Sequence, residues 1–292
     1  MKHKTTVTLL VFVITTLAIL ATTAGIFSNQ GTGQYEYKSI RNKTVTIYGK
    51  GVYHDMSAEV APQGIAQDYI TLFIGIPLLL ISLFFFRKGS LKGHFLLAGT
   101  LGYFLVTYLF FLLMGMYNEM FLTWIMLLCS SFFAFTLTCF SFEIEKLHFS
   151  FHESTPVRLT GSFLVFAACA IGLLWLNIVV PPLIDGTIVP VQTEHYTTLI
   201  VQGLDLGILL PLSFISGVLL MRKKPFGYFL APVYSVFLSI LMTALTAKVV
   251  AMSILGYNVI PAIFIIPVFN LLSIMCTIFI LKNVKQNEYS NK

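Results

Sequence analysis

Residues 69–88 read Tyr69-Ile70-Thr71-Leu72-Phe73-Ile74-Gly75-Ile76-Pro77-Leu78-Leu79-Leu80-Ile81-Ser82-Leu83-Phe84-Phe85-Phe86-Arg87-Lys88. No charged side chain interrupts the run until Arg87 and Lys88 close it. A helix needs about 20 mainly apolar residues to cross a bilayer, and basic residues gather where a span re-enters the cytoplasm. The same reading applies seven more times, giving spans at about 7–27, 69–86, 95–116, 120–141, 161–180, 198–221, 227–252 and 259–281. The expected fold is therefore all-α, a polytopic transmembrane helix bundle of eight spans forming one membrane domain over residues 1–292.

Composition supports lipid as the main solvent. The chain is 57% hydrophobic and 10% charged, with mean hydropathy +0.87, whereas soluble domains carry about 25% charged residues. The net charge of +6 does not point to nucleic acid, because the basic residues sit in short clusters at span ends. With the N-terminus inside, Lys2, Lys4, Arg87, Lys88, Lys92, Lys146, Arg158, Arg222, Lys223, Lys224, Lys282, Lys285 and Lys292 fall on the cytoplasmic side, thirteen of the eighteen Lys and Arg. The outer loops around Tyr117-Asn118-Glu119, Pro181 to Tyr196 and Gly256-Tyr257-Asn258 hold none. The expectation is a cell-membrane, multi-pass protein with both termini cytoplasmic.

Span 1 has a second reading. Lys2-His3-Lys4, the apolar core Val7 to Leu20 and the small residues Ala21-Thr22-Thr23-Ala24 also have the layout of a cleavable signal peptide. Both readings put the loop of residues 28–66 outside. Within it, Thr44 to Tyr48 and Val52-Tyr53 flank Gly49-Lys50-Gly51, which predicts a hairpin across the glycines. Asn42-Lys43-Thr44 fits a glycosylation sequon of low specificity. Cys129, Cys139, Cys169 and Cys276 lie in apolar runs without metal-ligand spacing and are read as packing residues.

Two segments resemble each other. Gln63-Gly64-Ile65-Ala66-Gln67-Asp68 leads to Pro77, Arg87-Lys88 and Gly93-His94-Phe95-Leu96. Gln202-Gly203-Leu204-Asp205 leads to Pro211, Arg222-Lys223-Lys224 and Gly227-Tyr228-Phe229-Leu230. This predicts two four-helix halves of like orientation about an axis along the membrane normal, with Asp68 matched to Asp205. The alternative is that inward helices independently share an acid, a proline and a basic end.

The runs Ala66-Gln67-Asp68 with Ile74-Gly75-Ile76-Pro77-Leu78-Leu79, Leu97-Ala98-Gly99-Thr100-Leu101-Gly102-Tyr103, and Glu194-His195-Tyr196-Thr197-Thr198-Leu199 resemble those of a family of uncharacterised bacterial polytopic membrane proteins. The resemblance covers spans 2 to 7. It implies a membrane fold and carries no activity, so no catalytic residue is transferred from it.

An ionisable side chain inside a span costs about 2.5 to 3.5 kcal/mol on insertion scales and generally faces a cavity or a partner. Asp205 is the clearest case. His195, Thr198, Gln202 and Asp205 share one helical stripe if span 6 begins early enough. In span 2, Gly64, Gln67, Asp68, Thr71 and Gly75 group in the same way, and Lys248 in span 7 is placed to neutralise either aspartate or to snorkel. Glu119 and Glu194 complete an acidic rim. The expected site is a polar cavity facing outward between spans 2, 6 and 7, for a cation, a proton or a small polar solute, in a small transporter or channel-like protein. The structural alternative is an interhelical polar contact that fixes the bundle.

Other chemistries are weaker. His94, His148 and His152 belong to the cytoplasmic side and His54 and His195 to the outside, so no two share a mid-membrane level suited to bis-His haem ligation. His195 with Asp68, Glu119, Glu194 or Asp205 is a competent donor set for zinc or iron, but no spacing marks it and no metal is assigned. Lys248 as a retinal Schiff base has no second support. No cofactor is identified. A membrane enzyme acting on lipid or through a metal, and a sensor or assembly subunit using the 28–66 loop, remain the competing functions.

Overall fold

In the computed structural model, residues 3–285 are described. Lys2 and Lys292 of the basic set lie outside them. Among the described residues, eight helices are long and apolar enough to cross a membrane: α1 (Lys4–Phe27), α2 (Ala61–Arg87), α3 (Leu91–Met114), α4 (Phe121–Phe140), α5 (Val157–Ile184), α6 (Ile200–Met221), α7 (Pro225–Ile254) and α8 (Ala262–Lys282). The protein is a multi-pass membrane protein with an all-α bundle. We call the end carrying residues 28–60 the cap side.

Local chemistry sets the helix ends. Pro62 and Pro225 occupy first-turn positions of α2 and α7, where a missing N–H costs nothing. The Ser90 hydroxyl accepts from the Gly93 N–H at the start of α3. Within the spans, hydroxyls turn back to their own helix. Thr22 donates to the Ala18 carbonyl and Thr138 to the Ala134 carbonyl, both at 2.7 Å, which hides polar groups from lipid.

α1 to α4 form one quartet and α5 to α8 another, joined where α7 packs on α3 and α2. A constant shift of 134 residues brings matching features of their central hairpins into register. It carries the π-helical turn 71–75 onto 205–209, Pro77 onto Pro211, and the positive φ of Gly89 onto that of Lys223. A Cβ on Gly93 would strike the backbone of Phe85 and Phe86, and one on Gly227 that of Leu219 and Leu220, the shifted equivalents. Past the hairpins the shift becomes 140, since α7 has 30 residues against 24 in α3. Met116 and Gly256 then share a positive φ. The Asn118 and Asn258 side-chain oxygens accept from the N–H groups of Met120 and Ile260 at 2.8 and 3.2 Å.

The repeat expected from sequence is present, in a corrected register. Asp68 corresponds to Gln202 and Thr71 to Asp205, because the π turns and prolines, not the Gln-Gly pairs, are the equivalent positions. Gly99 and its counterpart Val233 meet at the junction of the halves, where a Cβ on Gly99 would lie 2.7 Å from the Val233 carbonyl oxygen and 2.4 Å from Val236 Cβ.

The loop after α1 holds two antiparallel strands, β1 (Tyr35–Lys38) and β2 (Thr44–Ile47), in register Tyr35 to Ile47 and Lys38 to Thr44. The expected hairpin across Gly49-Lys50-Gly51 is corrected: its turn falls at 39–43. Gly49 and Gly51 instead take positive φ and fold back, the Gly49 carbonyl accepting from Gly33 and the Gly51 N–H donating to Gln30. Only glycine adopts those angles freely. The cysteine reading also changes, since Cys129 and Cys169 are exposed on the bundle surface, Cys139 is half-buried, and Cys276 is buried.

Candidate functional site

The cap crosses both halves. Arg41 donates to the carbonyls of Glu194, Tyr196 and Thr197 at 3.3, 2.9 and 3.0 Å. His195 Nε2 lies 3.0 Å from the Asp55 carbonyl, Asn118 Nδ2 donates to the Val52 carbonyl at 3.0 Å, and the Tyr257 hydroxyl donates to that of Ala58 at 3.4 Å. From the cap, Tyr53 descends into the first quartet and stacks on Phe111 and Trp124 at 5.9 and 6.5 Å.

There Tyr53 meets Asp68. Its hydroxyl donates to Asp68 Oδ2 at 2.5 Å, and the two residues are 2% and 1% exposed. Burial first, then the neighbouring carboxylate, pushes the Tyr53 phenol well above its ordinary pKa, so it stays a proton donor. Gly25 of α1 is pressed against the same carboxylate, since a Cβ there would lie 1.9 Å from Oδ2. Beside it, Gln67 Nε2 donates to the Tyr103 hydroxyl at 2.8 Å and to Thr107 Oγ1 at 3.2 Å. Thr71 closes the set, 2.8 Å from Tyr103 and donating to the Gln67 carbonyl. Among the described residues, Gln67 Oε1 and the Tyr108 hydroxyl are buried without a hydrogen-bond partner. The predicted span 2 stripe thus exists, facing α3 and the cap.

Asp205 stands apart from that cluster. It opens the π turn of α6, and the indole Nε1–H of Trp175 on α5 donates to its Oδ2 at 2.8 Å. Lys248 on α7 acts electrostatically on both Asp205 and Asp68. It comes within 4.0 Å of neither, as the direct ion pairs among the described residues are His54–Asp55 and Lys146–Glu143. At about 1.5 Å per residue, the three ionisable groups lie roughly 7–11 Å in from the cap-side ends of α2, α6 and α7.

The remaining predicted residues disperse. α6 begins at Ile200, so His195 and Thr198 are not on its helical stripe; bonding to the cap draws His195 out of line. Gln202 lines a separate cavity of about 380 Å³ at the cap-side mouth of α5 and α6, with Arg41, Thr193, Thr197 and Thr198. Glu194 is half-buried beneath the cap with Oε2 unpartnered. Burial raises its carboxyl above the usual range, with Ser57 and His195 opposing and Glu59 adding to the rise. Glu119 is exposed. The acidic rim therefore does not converge, and among the described residues no three His, Cys, Asp or Glu side chains gather around one point.

Trp175, Tyr53, Tyr103 and Tyr108 were not among the expected site residues. Their signal was a polar tip on an aromatic ring inside or beside a span, which needs a partner when buried. Nothing in the periodicity marks Tyr53, because it enters from a loop. Compared with protein-family models, curated proteins and solved structures, the chain gives no match, so its function has to be argued from this arrangement alone.

Proposed function

We propose that the protein is a small transporter for a proton or another monovalent cation, with the cap side extracytoplasmic and α1 retained. The observation that carries this is a charge imbalance in the cap-side parts of three packed spans, α2, α6 and α7. Asp68 comes from the first half and Asp205 from the second, and Lys248, on α7 of the second half, forms a direct ion pair with neither among the described residues.

Two carboxylates and one ammonium leave one negative charge uncompensated where the dielectric is low. Such a charge demands a proton or a small cation. Asp205, half-buried and bonded to an indole, is the accessible member; Asp68, sealed under Tyr53, is the occluded one. Both lie in or near a π-helical turn followed by proline, and π turns recur at functional positions. The basic clusters on the side opposite the cap support the assigned orientation.

The test is flux into protein-containing vesicles loaded with a pH-sensitive dye, under imposed Na⁺, K⁺ or pH gradients. The expectation is flux above protein-free vesicles, reduced at least tenfold by Asp205→Asn and by Asp68→Asn. Flux equal to that of empty vesicles, or unchanged in both variants, would sink the proposal.

A further inference from the structure

A groove of about 560 Å³ opens on the flank of the bundle between α3, α4 and α6. Leu105 and Phe110 form one wall, Cys129 and Phe133 a second, and Leu204 and Ile208 the third; no charged side chain lines it. The α3 and α6 lining residues belong to the cap-side halves of their helices, and those of α4 run from Ile125 on the cap side to Phe133 near its middle.

The repeat shows what is unusual here. The equivalent place in the other direction lies between α7, α8 and α2, and protein closes it. α2 packs against α7. Ile240 and Ala244, the counterparts of Val106 and Phe110, are buried. Ser239 and Thr243, the counterparts of Leu105 and Leu109, bond to Ser273 and Asn270 of α8 at 3.0 and 3.1 Å. One of two equivalent interfaces is therefore sealed by side chains, while the other presents a concave apolar trough.

We propose that this trough holds an acyl chain of a phospholipid from the cap-side leaflet. Its walls offer no hydrogen bond that would hold water or a polar head. Its volume falls within the range of about 300–1,000 Å³ typical of small-molecule sites. Its rim residues Phe132, Phe133 and Ile208 are exposed toward the bilayer, so the occupant enters sideways from lipid at the depth of its own tail. The trough is independent of the Asp205 site and stands whether or not ion flux is found.

The test uses the full chain in phosphatidylcholine nanodiscs containing a minor fraction of phosphatidylcholine with a diazirine on the acyl chain. After photolysis, peptide mass spectrometry is expected to find adducts on Cys129, Phe132, Phe133 and Ile208 several-fold above those on Phe264 and Leu271, which are more exposed on α8. Leu109→Trp, which fills the trough, should remove the groove adducts and leave those on α8. Ile208→Trp fills it from the opposite wall if the first variant does not fold. Adducts spread evenly around the bundle, or unchanged in the filled variant, overturn the proposal. Disulfide-linked dimers through Cys129 in place of lipid adducts would assign the trough to a second copy and overturn it too.

Discussion

Tyr53 and Asp68 form the most consequential pair at the level of single residues. One comes from a loop and the other from a span, yet both are almost completely buried. Removing the phenol hydroxyl would strand a carboxylate in an apolar setting, so Tyr53→Phe is expected to cost about 1–3 kcal/mol of stability. Asp68→Asn introduced into that background should cost less than it does alone, because the bond is already lost and the substitution removes the stranded charge. Thermal melting of the four members of the double-mutant cycle measures the coupling; strictly additive losses would show that the bond contributes nothing. Sequence made Asp68 visible as an exception within a span. It did not reveal Tyr53, because a residue entering from a loop carries no helical period, nor Trp175, which resembles any apolar residue until its indole N–H is seen to need an acceptor.

Among elements, the cap and the hairpins differ in how much their sequence discloses. Helices α2, α3, α6 and α7 follow from long, mainly apolar runs with basic residues at one end. The π turns do not, since nothing distinguishes Thr71 to Gly75 from ordinary helix except the proline that follows. The path of the cap is hidden in sequence because Gly49-Lys50-Gly51 looks like a hairpin turn, while the long-range bonds of Arg41 and His195 decide its course. Its docking should depend on pH through Glu194. Burial gives that carboxyl a higher pKa in the folded cap than the unperturbed value of about 4.3. The docked state thus binds its proton more tightly than the undocked state. The contribution to docking is full below about pH 4.3 and is lost as pH rises through the raised value. Hydrogen-exchange protection factors of Ser57 and Tyr196 should fall over that range, and Glu194→Gln should flatten the profile. An identical slope in the variant would remove Glu194 as the cause.

For the whole molecule, eight spans and a two-half repeat were legible, whereas the register of the halves was not, because Asp68 and Asp205 attract the eye and yet occupy different positions. The halves meet where Gly99 faces Val233 and Val236. Gly99→Leu should force them apart and destabilise the protein by about 1–3 kcal/mol or more, lowering its melting temperature; an unchanged melt would show that the junction lies elsewhere. The extra six residues of α7 have a different kind of effect. Its 30 residues make a rod about 45 Å long beside a hydrocarbon layer of about 30 Å. Such a mast has to lean, protrude, or draw the surrounding lipids upward. With Tyr257, just past its end, bonded to the cap, protrusion on that side is supported by protein. Bilayer thickness thereby becomes a mechanical load on the cap, transmitted along the helix that carries Lys248.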